Sequence, residues 1–500
     1  MTRGLPLLGV LFLLSPSGVP AQEKDRQCVF QLLNVDREGL RVEPLPGIEN
    51  YYAGGNVRMQ CRGQQVRMRA DSIALFQGAI AQFIGQVVYE DSTAEMTADF
   101  GTYFRDGDRW EARGNVVFTN REDRSTLRGP ELDYYRALPE VRPDAELFAA
   151  RRPTVTITAT DSTGADAEPY ILVGDRVRIR GNTRFWSGGS VTIDRSDLRA
   201  QSDSLELDTG AGESGLLLGR AEIHRLAADS VDLTARRIDF TLDGSEVTYT
   251  LAQGNGHLVA SGLDLASDTI GIDIEDRIVR QTLAWGDSIR PDARSGVYRV
   301  TADSLAIDSP ARRLREIRGF GNGWTGFSGS TDTVPFAGDA TAARSGSDSL
   351  PPRSATDSVT GRSVSDSLAE ALPPAVEGDW LAGDTLVLVF DTTAAPAGAE
   401  PRTDLETMRA ILNARAYYRM AMSDTTGMRS VNYTTADTIL IRMKREGDST
   451  VVDRVEASGR VNGVQLQPAS TVPPLRLPGG PPPVPRPPSG PPTPGGREGA

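Results

Sequence analysis

A short motif that recurs along the chain constrains the fold more than any other feature of the sequence. It reads Gly-Asn-Val or close to it, and its consecutive copies lie about 29 to 38 residues apart, within the range of stacked repeat units. The 500 residues would suit two to four ordinary domains or one long repeat array, and this recurrence points to repeated units. The copies begin at Gly55, Gly85, Gly114, Gly181, Gly219, Gly254, Gly321 and Gly459.

A second motif alternates with the first. It reads Ala-Asp-Ser followed by an apolar, a variable and an apolar residue, and its copies begin at Ala70, Ser202, Ala302 and Ala436. The alternation predicts that each unit is one strand, a turn and a returning strand that ends near the Gly-Asn step.

The predicted strands show period two. Val57, Met59 and Cys61 alternate with polar residues, and Val177 and Ile179 alternate with arginines. This pattern places apolar side chains on one face of a strand and charged side chains on the other. It therefore predicts a half-buried sheet.

Turn residues lie where hairpins need them. Asp243-Gly244 separates two alternating segments, and Asp106-Gly107 lies between Phe104 and Trp110. Asp-Gly is favoured in tight hairpin turns because these turns need a positive φ angle. The chain is thus expected to be all-β, built from repeated antiparallel hairpins.

The first 21 residues have the pattern of a cleaved signal peptide. Arg3 precedes an apolar run from Leu5 to Leu14, and Val19-Pro20-Ala21 offers the small residues of a cleavage site. A run of about ten residues is too short to span a bilayer, for which about 20 are needed. We expect export to the periplasm; the alternative is a short membrane anchor.

The remaining chain divides by composition. We expect an N-terminal segment at 22–49, hairpin repeats at 50–327 and 377–467, a disordered insertion at 328–376 and a Pro-rich disordered tail at 468–500, because the last two stretches have too few large apolar residues to offset chain entropy. Within the second repeat region, Thr385–Phe390 is predicted as a strand buried on both faces. Leu405 to Met422 also fits helical spacing, but its hairpin neighbours favour strands.

The two cysteines, Cys28 and Cys61, lie near the expected mature N-terminus. In an oxidising compartment such a pair is more often a disulfide than two free thiols. We expect the disulfide, which in the chain-entropy model would stabilise the fold by roughly 3 to 4 kcal/mol.

The tandem of Gly-Asn-Val steps and Ala-Asp-Ser-Leu strands after a signal peptide resembles the OstA-like, or LptA-type, family of lipopolysaccharide-transport proteins, which includes LptA, LptC and the N-terminal domain of LptD. The resemblance covers most of the two repeat regions. It implies an open-ended twisted β-jellyroll or solenoid whose apolar interior shields acyl chains, so that the chain would be a periplasmic bridge in the delivery of lipopolysaccharide or a related glycolipid to the outer membrane.

The resemblance also implies partners and lipid-facing residues. Other jellyroll proteins of this kind, or further copies of the chain, would join by addition of edge strands. The repeat positions expected to face inward, toward lipid or simply toward the core, are Ile73, Leu75, Val87, Val116, Ile179, Leu205, Leu207, Phe240, Leu305, Ile307, Ile439 and Ile441.

Enzymatic chemistry finds little support in the sequence. The only histidines, His224 and His257, have no partner motif, no phosphate loop or nucleophile elbow is present, and no spacing suits zinc or calcium, so we expect no catalytic residue, no metal and no cofactor. Lys+Arg 54 against Asp+Glu 67 gives a net charge of −13, which argues against nucleic acid as a partner.

Two other functions are also compatible with the sequence. One is a structural or adhesive β-solenoid of the cell envelope that carries no lipid. The other is a polysaccharide-cleaving β-helix enzyme, which we disfavour because the aromatic residues, 6% of the chain, are dispersed in the sequence.

Overall fold

The computed structural model describes residues 28–138, 140–160, 166–210, 212–225, 230–244, 246–260, 262–310, 313–327, 378–391, 404–421, 429–446 and 449–466. These residues form an all-β fold of 28 strands in one continuous antiparallel sheet. The expected signal peptide, insertion and tail lie outside the described residues.

The strands follow one another in chain order. The first ten are β1 Phe30–Asn34, β2 Arg37–Leu45, β3 Ile48–Cys61, β4 Arg67–Phe76, β5 Ile80–Glu90, β6 Ala94–Phe104, β7 Arg109–Asn120, β8 Thr126–Tyr135, β9 Glu146–Ala150 and β10 Thr154–Thr160. The next nine are β11 Asp166–Val173, β12 Arg176–Arg180, β13 Arg184–Arg195, β14 Leu198–Asp208, β15 Ser214–Arg225, β16 Val231–Asp243, β17 Glu246–Ala260, β18 Leu263–Glu275 and β19 Ile278–Trp285. The last nine are β20 Asp292–Ser295, β21 Tyr298–Thr301, β22 Ser304–Asp308, β23 Glu316–Phe327, β24 Asp379–Asp391, β25 Asp404–Ala421, β26 Arg429–Glu446, β27 Ser449–Ser458 and β28 Asn462–Leu466.

Each long strand bends near its middle, at a point that we call its corner. The pairing register shifts there, for example between Arg113 and Val116 of β7 and between Ile84 and Val87 of β5. Where the corner interrupts the ladder, two short strands such as β9 and β10 form the two halves of one bent strand. The sheet is therefore a meander of bent strands.

The repeated motifs lie at these corners, which corrects the expectation that a strand ends near the Gly-Asn step. Gly114 of β7 has a φ angle of +74°, and a Cβ atom built on it would lie only 2.9 Å from the Cβ atom of Asp99 in β6. Asn115 donates a hydrogen bond from Nδ2 to Oδ2 of Asp99 over 2.8 Å. The Gly-Asn and Ala-Asp motifs are thus the two sides of one corner contact between neighbouring strands.

The bend folds the two halves of each bent strand face to face, so the sheet forms two layers. We call the half that contains Leu205 layer I and the half that contains Ala200 layer II. Side chains from opposite halves contact each other: the ring centroids of Tyr89 in layer II and Trp110 in layer I are 4.9 Å apart. The hairpin turns of the two layers face each other on the side opposite the corners, and we call this gap the seam.

The period-two pattern is confirmed by the burial of the side chains. All twelve sequence-predicted inward positions lie in the core or pack against it as half-buried residues. Thr385–Phe390, within β24, is not buried on both faces. Leu386 and Leu388 are buried while Val387 and Val389 are half-exposed, because nothing in the described structure covers the outer face of the layer.

Two further features concern the ends of the array. The segment from Asp404 to Ala421 is the strand β25, so the interpretation of this region as strand rather than helix is confirmed.

Cys28 and Cys61 are both buried and form a disulfide with a Cα–Cα distance of 4.9 Å, which joins the start of the described chain to the end of β3. The expected N-terminal segment 22–49 contains β1 and β2, which pair with β3.

Candidate functional site

The middle of the array encloses an apolar chamber between the two layers. Its volume is about 390 Å³, and its walls extend from β10 to β19. The apolar lining residues include Ile157, Leu172, Ile193, Leu198, Ala200, Leu205, Leu207, Leu217, Ile223, Val231, Leu233, Phe240, Leu242, Val247, Ile272, Ile274 and Val279. A cavity of this size and lining is typical of sites that bind small apolar ligands.

The chamber exists because the inward side chains here are aliphatic and small. Packed sheets lie about 10 Å apart, and the gap between them must be filled by side chains from both inner faces. Ala200 of layer II is buried and lines the chamber with only a methyl group. In layer I, the ring of Phe240 lies over its neighbour Gly215, where a built Cβ atom would overlap Cζ of the ring. The small side chain of Ala200 therefore leaves space that a longer side chain would occupy.

Among the described residues, the chamber opens at the seam through a polar rim. In layer II, Arg195 donates a hydrogen bond to Tyr170 Oη over 2.6 Å and another from Nη2 to Asp197 Oδ2 over 2.9 Å. In layer I, Arg277 forms an ion pair of 2.7 Å with Glu246. An apolar chamber with a charged rim suits an amphiphile whose charged part stays in water.

Charges at the rim balance each other. Three arginines (Arg195, Arg225 and Arg277) and three acidic residues (Asp123, Asp197 and Glu246) line it. Burial works to raise the pKa of Asp197, but the hydrogen bond and positive charge of Arg195 outweigh it, so the pKa is lowered. The Asp197 carboxyl is therefore an anion at neutral pH, and the described residues of the rim carry no excess of positive charge.

The N-terminal part of the interior is filled rather than hollow. Phe83, Tyr89, Tyr103, Trp110 and Tyr134 are each at most 1% exposed, and we call these five residues the aromatic plug. Their ring centroids lie between 4.9 and 5.9 Å from one another in four pairs. Aromatic residues that are dispersed in the sequence thus meet in the interior, because distant sequence positions share one face of β5, β6, β7 and β8.

Buried polar groups complete the plug on one side. Tyr89 and Tyr134 donate hydrogen bonds to Oδ2 of Asp91 over 2.6 and 3.3 Å, and Asp91 also accepts one from the backbone N–H of Ala94 over 2.7 Å. Burial, and then the neighbouring tyrosine and aspartate, raise the pKa of Tyr89. The Tyr89 hydroxyl therefore stays protonated and remains a donor to Asp91.

A second buried polar group, formed by Asp108 and Arg136, lies beside the aromatic plug and connects the two sides of the seam. Asp108 is buried, accepts a hydrogen bond from Tyr103 Oη over 2.7 Å and forms an ion pair with Arg136. Arg136, in the turn after β8, also donates a hydrogen bond over 2.7 Å to Oε1 of Gln64, in the turn after β3. This bond joins the hairpin turns of the two layers across the seam.

The structure brings three of the twelve sequence-predicted lipid-facing residues into the chamber: Leu205, Leu207 and Phe240. The other nine are core residues elsewhere along the array: Ile73, Leu75, Val87, Val116, Ile179, Leu305, Ile307, Ile439 and Ile441. Leu217, Ile223 and Ile272 line the chamber without having been predicted, although their period-two spacing could have placed them inward.

The two histidines form hydrogen bonds with aspartates on the surface of the sheet. His224 lies 2.8 Å from Asp232 and His257 lies 2.9 Å from Asp264, each pair joining neighbouring strands. Within the described ranges, no group of three or more His, Cys, Asp or Glu residues is arranged to hold a metal ion. Nor does any helix in that part of the chain have the length and apolar character needed to cross a membrane.

Neither a comparison with protein-family models nor one with curated proteins found a match to this sequence.

Proposed function

We propose that this chain is an exported, non-enzymatic protein that binds the acyl chains of lipopolysaccharide or a related glycolipid during its transport to the outer membrane. The observation that carries the proposal is the apolar chamber between the layers, which opens at the seam through a charged rim. Its shape suits a ligand with an apolar tail and a polar head.

The energy of binding would come from the tail. Burying a methylene group of an acyl chain contributes about 0.8 kcal/mol, so about ten methylene groups supply about 8 kcal/mol before the cost of association is subtracted. The balanced charges of the rim and the net charge of −13 favour leaving an anionic head in water.

Export to the periplasm is part of the same proposal. The apolar run from Leu5 to Leu14 suits a signal peptide for export. The disulfide between Cys28 and Cys61 suits an oxidising compartment outside the cytoplasm.

Partner proteins would join at the two ends of the array. In the described residues, β1 and β2 pair only with β3, and β27 and β28 pair only with β26. Each end strand therefore offers unpaired backbone groups to another strand. Exposed apolar side chains accompany both edges, among them Leu40 and Leu45 at the first and Val464 and Leu466 at the last.

Photocrosslinking in cells tests the proposal. A photoreactive amino acid is placed at Leu205 or Leu217 in the chamber, and at the neighbouring outward positions Glu206 and Leu216 as matched controls. We expect crosslinks to glycolipid from the first pair of positions and none from the second. Equal crosslinking from both pairs, or none from a folded and abundant protein, would contradict the proposal.

A structural solenoid without lipid is the second candidate, and the filled interior around the aromatic plug favours it for that part of the array. Depletion of the protein separates the two. Lipid transport predicts that glycolipid accumulates at the inner membrane, whereas a structural role predicts a normal outer leaflet.

A further inference from the structure

The interior of the array is not uniform along its length. The aromatic plug and its polar groups fill the part formed by β5 to β8, whereas the chamber occupies the part between β10 and β19. This division has consequences for how a ligand can enter, how far it can move and how much of it fits.

We propose that the chamber is a side-loaded compartment that is closed toward the N-terminal end and holds no more than two acyl chains. This inference rests on the proposed function, since it assumes that the chamber holds lipid. Acyl chains would then stay in the chamber and not pass through the interior to the N-terminal edge, which the proposed function alone does not require.

Capacity follows from the volume. A water molecule takes up about 30 Å³ of liquid but needs only about 10 to 15 Å³ of space for a probe of its radius. A chamber of 390 Å³ therefore holds about 13 heavy atoms by the first figure and about 26 to 39 by the second. A methylene group is similar in size to a water molecule. The chamber therefore suits one or two acyl chains, and a glycolipid with more chains must keep the others outside.

Closure toward the N-terminal end rests first on packing. Trp110 contacts Phe83, Tyr89 and Tyr103 with ring centroids 4.9 to 5.4 Å apart, and its exposed fraction is 0%. A close-packed interior of this kind leaves no path for an alkyl chain. An acyl chain could pass only if several aromatic rings left the interior together.

The buried charges form a second barrier. Asp91 and the ion pair of Asp108 with Arg136 lie beside the rings. Their hydrogen bonds would have to be broken or left unsatisfied to admit an alkyl chain, which is unfavourable in an interior away from water.

Entry is expected through the seam beside the chamber. At the plug, the seam is bridged by Arg136 with Gln64 over 2.7 Å. At the chamber, one side of the seam is bridged by Asn182, a lining residue, with Glu122 over 3.4 Å. Beside the chamber the polar rim lies between the hairpin turns of the two layers, with Arg195 in layer II and Arg277 in layer I. A ligand can insert its tail there while its head stays at the rim.

A labelling experiment tests where the chain lies. The purified full chain is incubated with a photoreactive palmitic acid, irradiated and mapped by mass spectrometry. We expect labels at chamber residues such as Leu205, Leu217 and Ile272, and none at Phe83 or Trp110. Labels on the aromatic plug would overturn the closed end while leaving lipid binding intact. Absence of any label would instead contradict the proposed function.

Native mass spectrometry with palmitic acid then tests capacity. We expect at most two bound chains at saturation, and a count above two would overturn the limit. Ala200→Phe places a ring inside the chamber and is expected to weaken binding on the order of tenfold or more. Glu206→Phe adds the same ring on the outer face of layer I and should leave binding unchanged; an equal loss in both variants would contradict a chamber of fixed size.

Discussion

At the corners of the bent strands, a glycine in the left-handed backbone region lies directly against a side chain of the preceding strand. Gly114 shows both constraints, because its φ angle is +74° and Asp99 occupies the space that a Cβ atom would need. Gly107, in the turn between β6 and β7, has a φ angle of +82° but no neighbour within 4 Å of a built Cβ atom. A substitution at Gly107 therefore tests backbone strain alone, whereas a substitution at Gly114 tests backbone strain together with steric crowding.

We predict that Gly114→Ala lowers the free energy of unfolding more than Gly107→Ala does. Both substitutions carry the cost of a non-glycine residue at positive φ, about 1 to 2 kcal/mol, but only the first also forces Asp99 to move. Urea unfolding of the two variants measures the difference. Equal losses would show that the contact between glycine and aspartate does not hold the corner.

A pH-dependent contribution is expected from His224. Its hydrogen bond with Asp232, assisted by Glu222, raises its pKa above the usual value of about 6.5. A raised pKa in the folded state contributes stability below the pKa of the unfolded state, and this contribution is lost as the pH rises through the folded value. The pair is partly exposed, so the contribution is below about 1 kcal/mol.

The measurement is the melting temperature of the wild type and of His224→Gln at pH 5.5 and 8.5. The wild type should be the more stable of the two at the lower pH, and the difference should shrink at the higher pH. A difference that grows with pH would contradict this assignment.

At the scale of the strands, the inner face of β7 packs against other side chains, whereas part of the inner face of β14 borders the empty chamber. Ala112 of β7 is buried beside the aromatic plug, whereas Ala200 of β14 lines the chamber. We predict that Ala112→Phe destabilises the protein by about 1 to 3 kcal/mol because the core there is already close-packed. Ala200→Phe should leave the free energy of unfolding close to that of the wild type, and chemical denaturation of both variants measures this contrast. A large loss in Ala200→Phe would mean that the chamber is not open space.

The disulfide holds β1 against β3. Its loop of 33 residues corresponds to a stabilisation of roughly 3 to 4 kcal/mol in the chain-entropy model. Thermal unfolding with and without a reductant should therefore show a lower melting temperature for the reduced wild type. The double variant Cys28→Ser/Cys61→Ser should match the reduced protein and be insensitive to the reductant, and a wild type unaffected by reduction would contradict the role of the bond.

Much at this scale could be predicted from the sequence. Alternation such as that of Val57, Met59 and Cys61 identified inward positions, since period two is a local property of a strand. The corners were misplaced because Gly-Asn was interpreted as the end of a strand. The interval of three residues between the buried Ala70 and Ile73 breaks period two and was the available signal for a bend.

The site itself could be predicted only in part. Leu205, Leu207 and Phe240 were expected to face inward, but no local pattern distinguishes them from Ile73 or Ile439, which are also inward. Whether an inward side chain meets a neighbour or empty space depends on the residue opposite it in the other layer. That partner is far away in sequence, so neither the chamber nor the aromatic plug is visible in a single strand.

For the whole molecule, the two edges determine how copies or partners can assemble. Val464 and Leu466 on β28 are 59% and 62% exposed. Lysine on an edge strand opposes the addition of another strand. We predict that Val464→Lys combined with Leu466→Lys weakens self-association or partner binding, as measured by sedimentation velocity, without lowering the melting temperature. Unchanged association would exclude this edge as the contact.

The central claim is that the interior of this chain holds acyl chains, and lipid analysis of the purified protein tests it most directly. The wild type and Ala200→Phe are purified from the periplasmic fraction without detergent, and bound lipids are extracted and quantified by mass spectrometry. The account predicts an acylated lipid at about one molecule per chain in the wild type and its loss in the variant, with both proteins folded. A folded wild type free of acylated lipid, or a variant that retains as much lipid as the wild type, would contradict it.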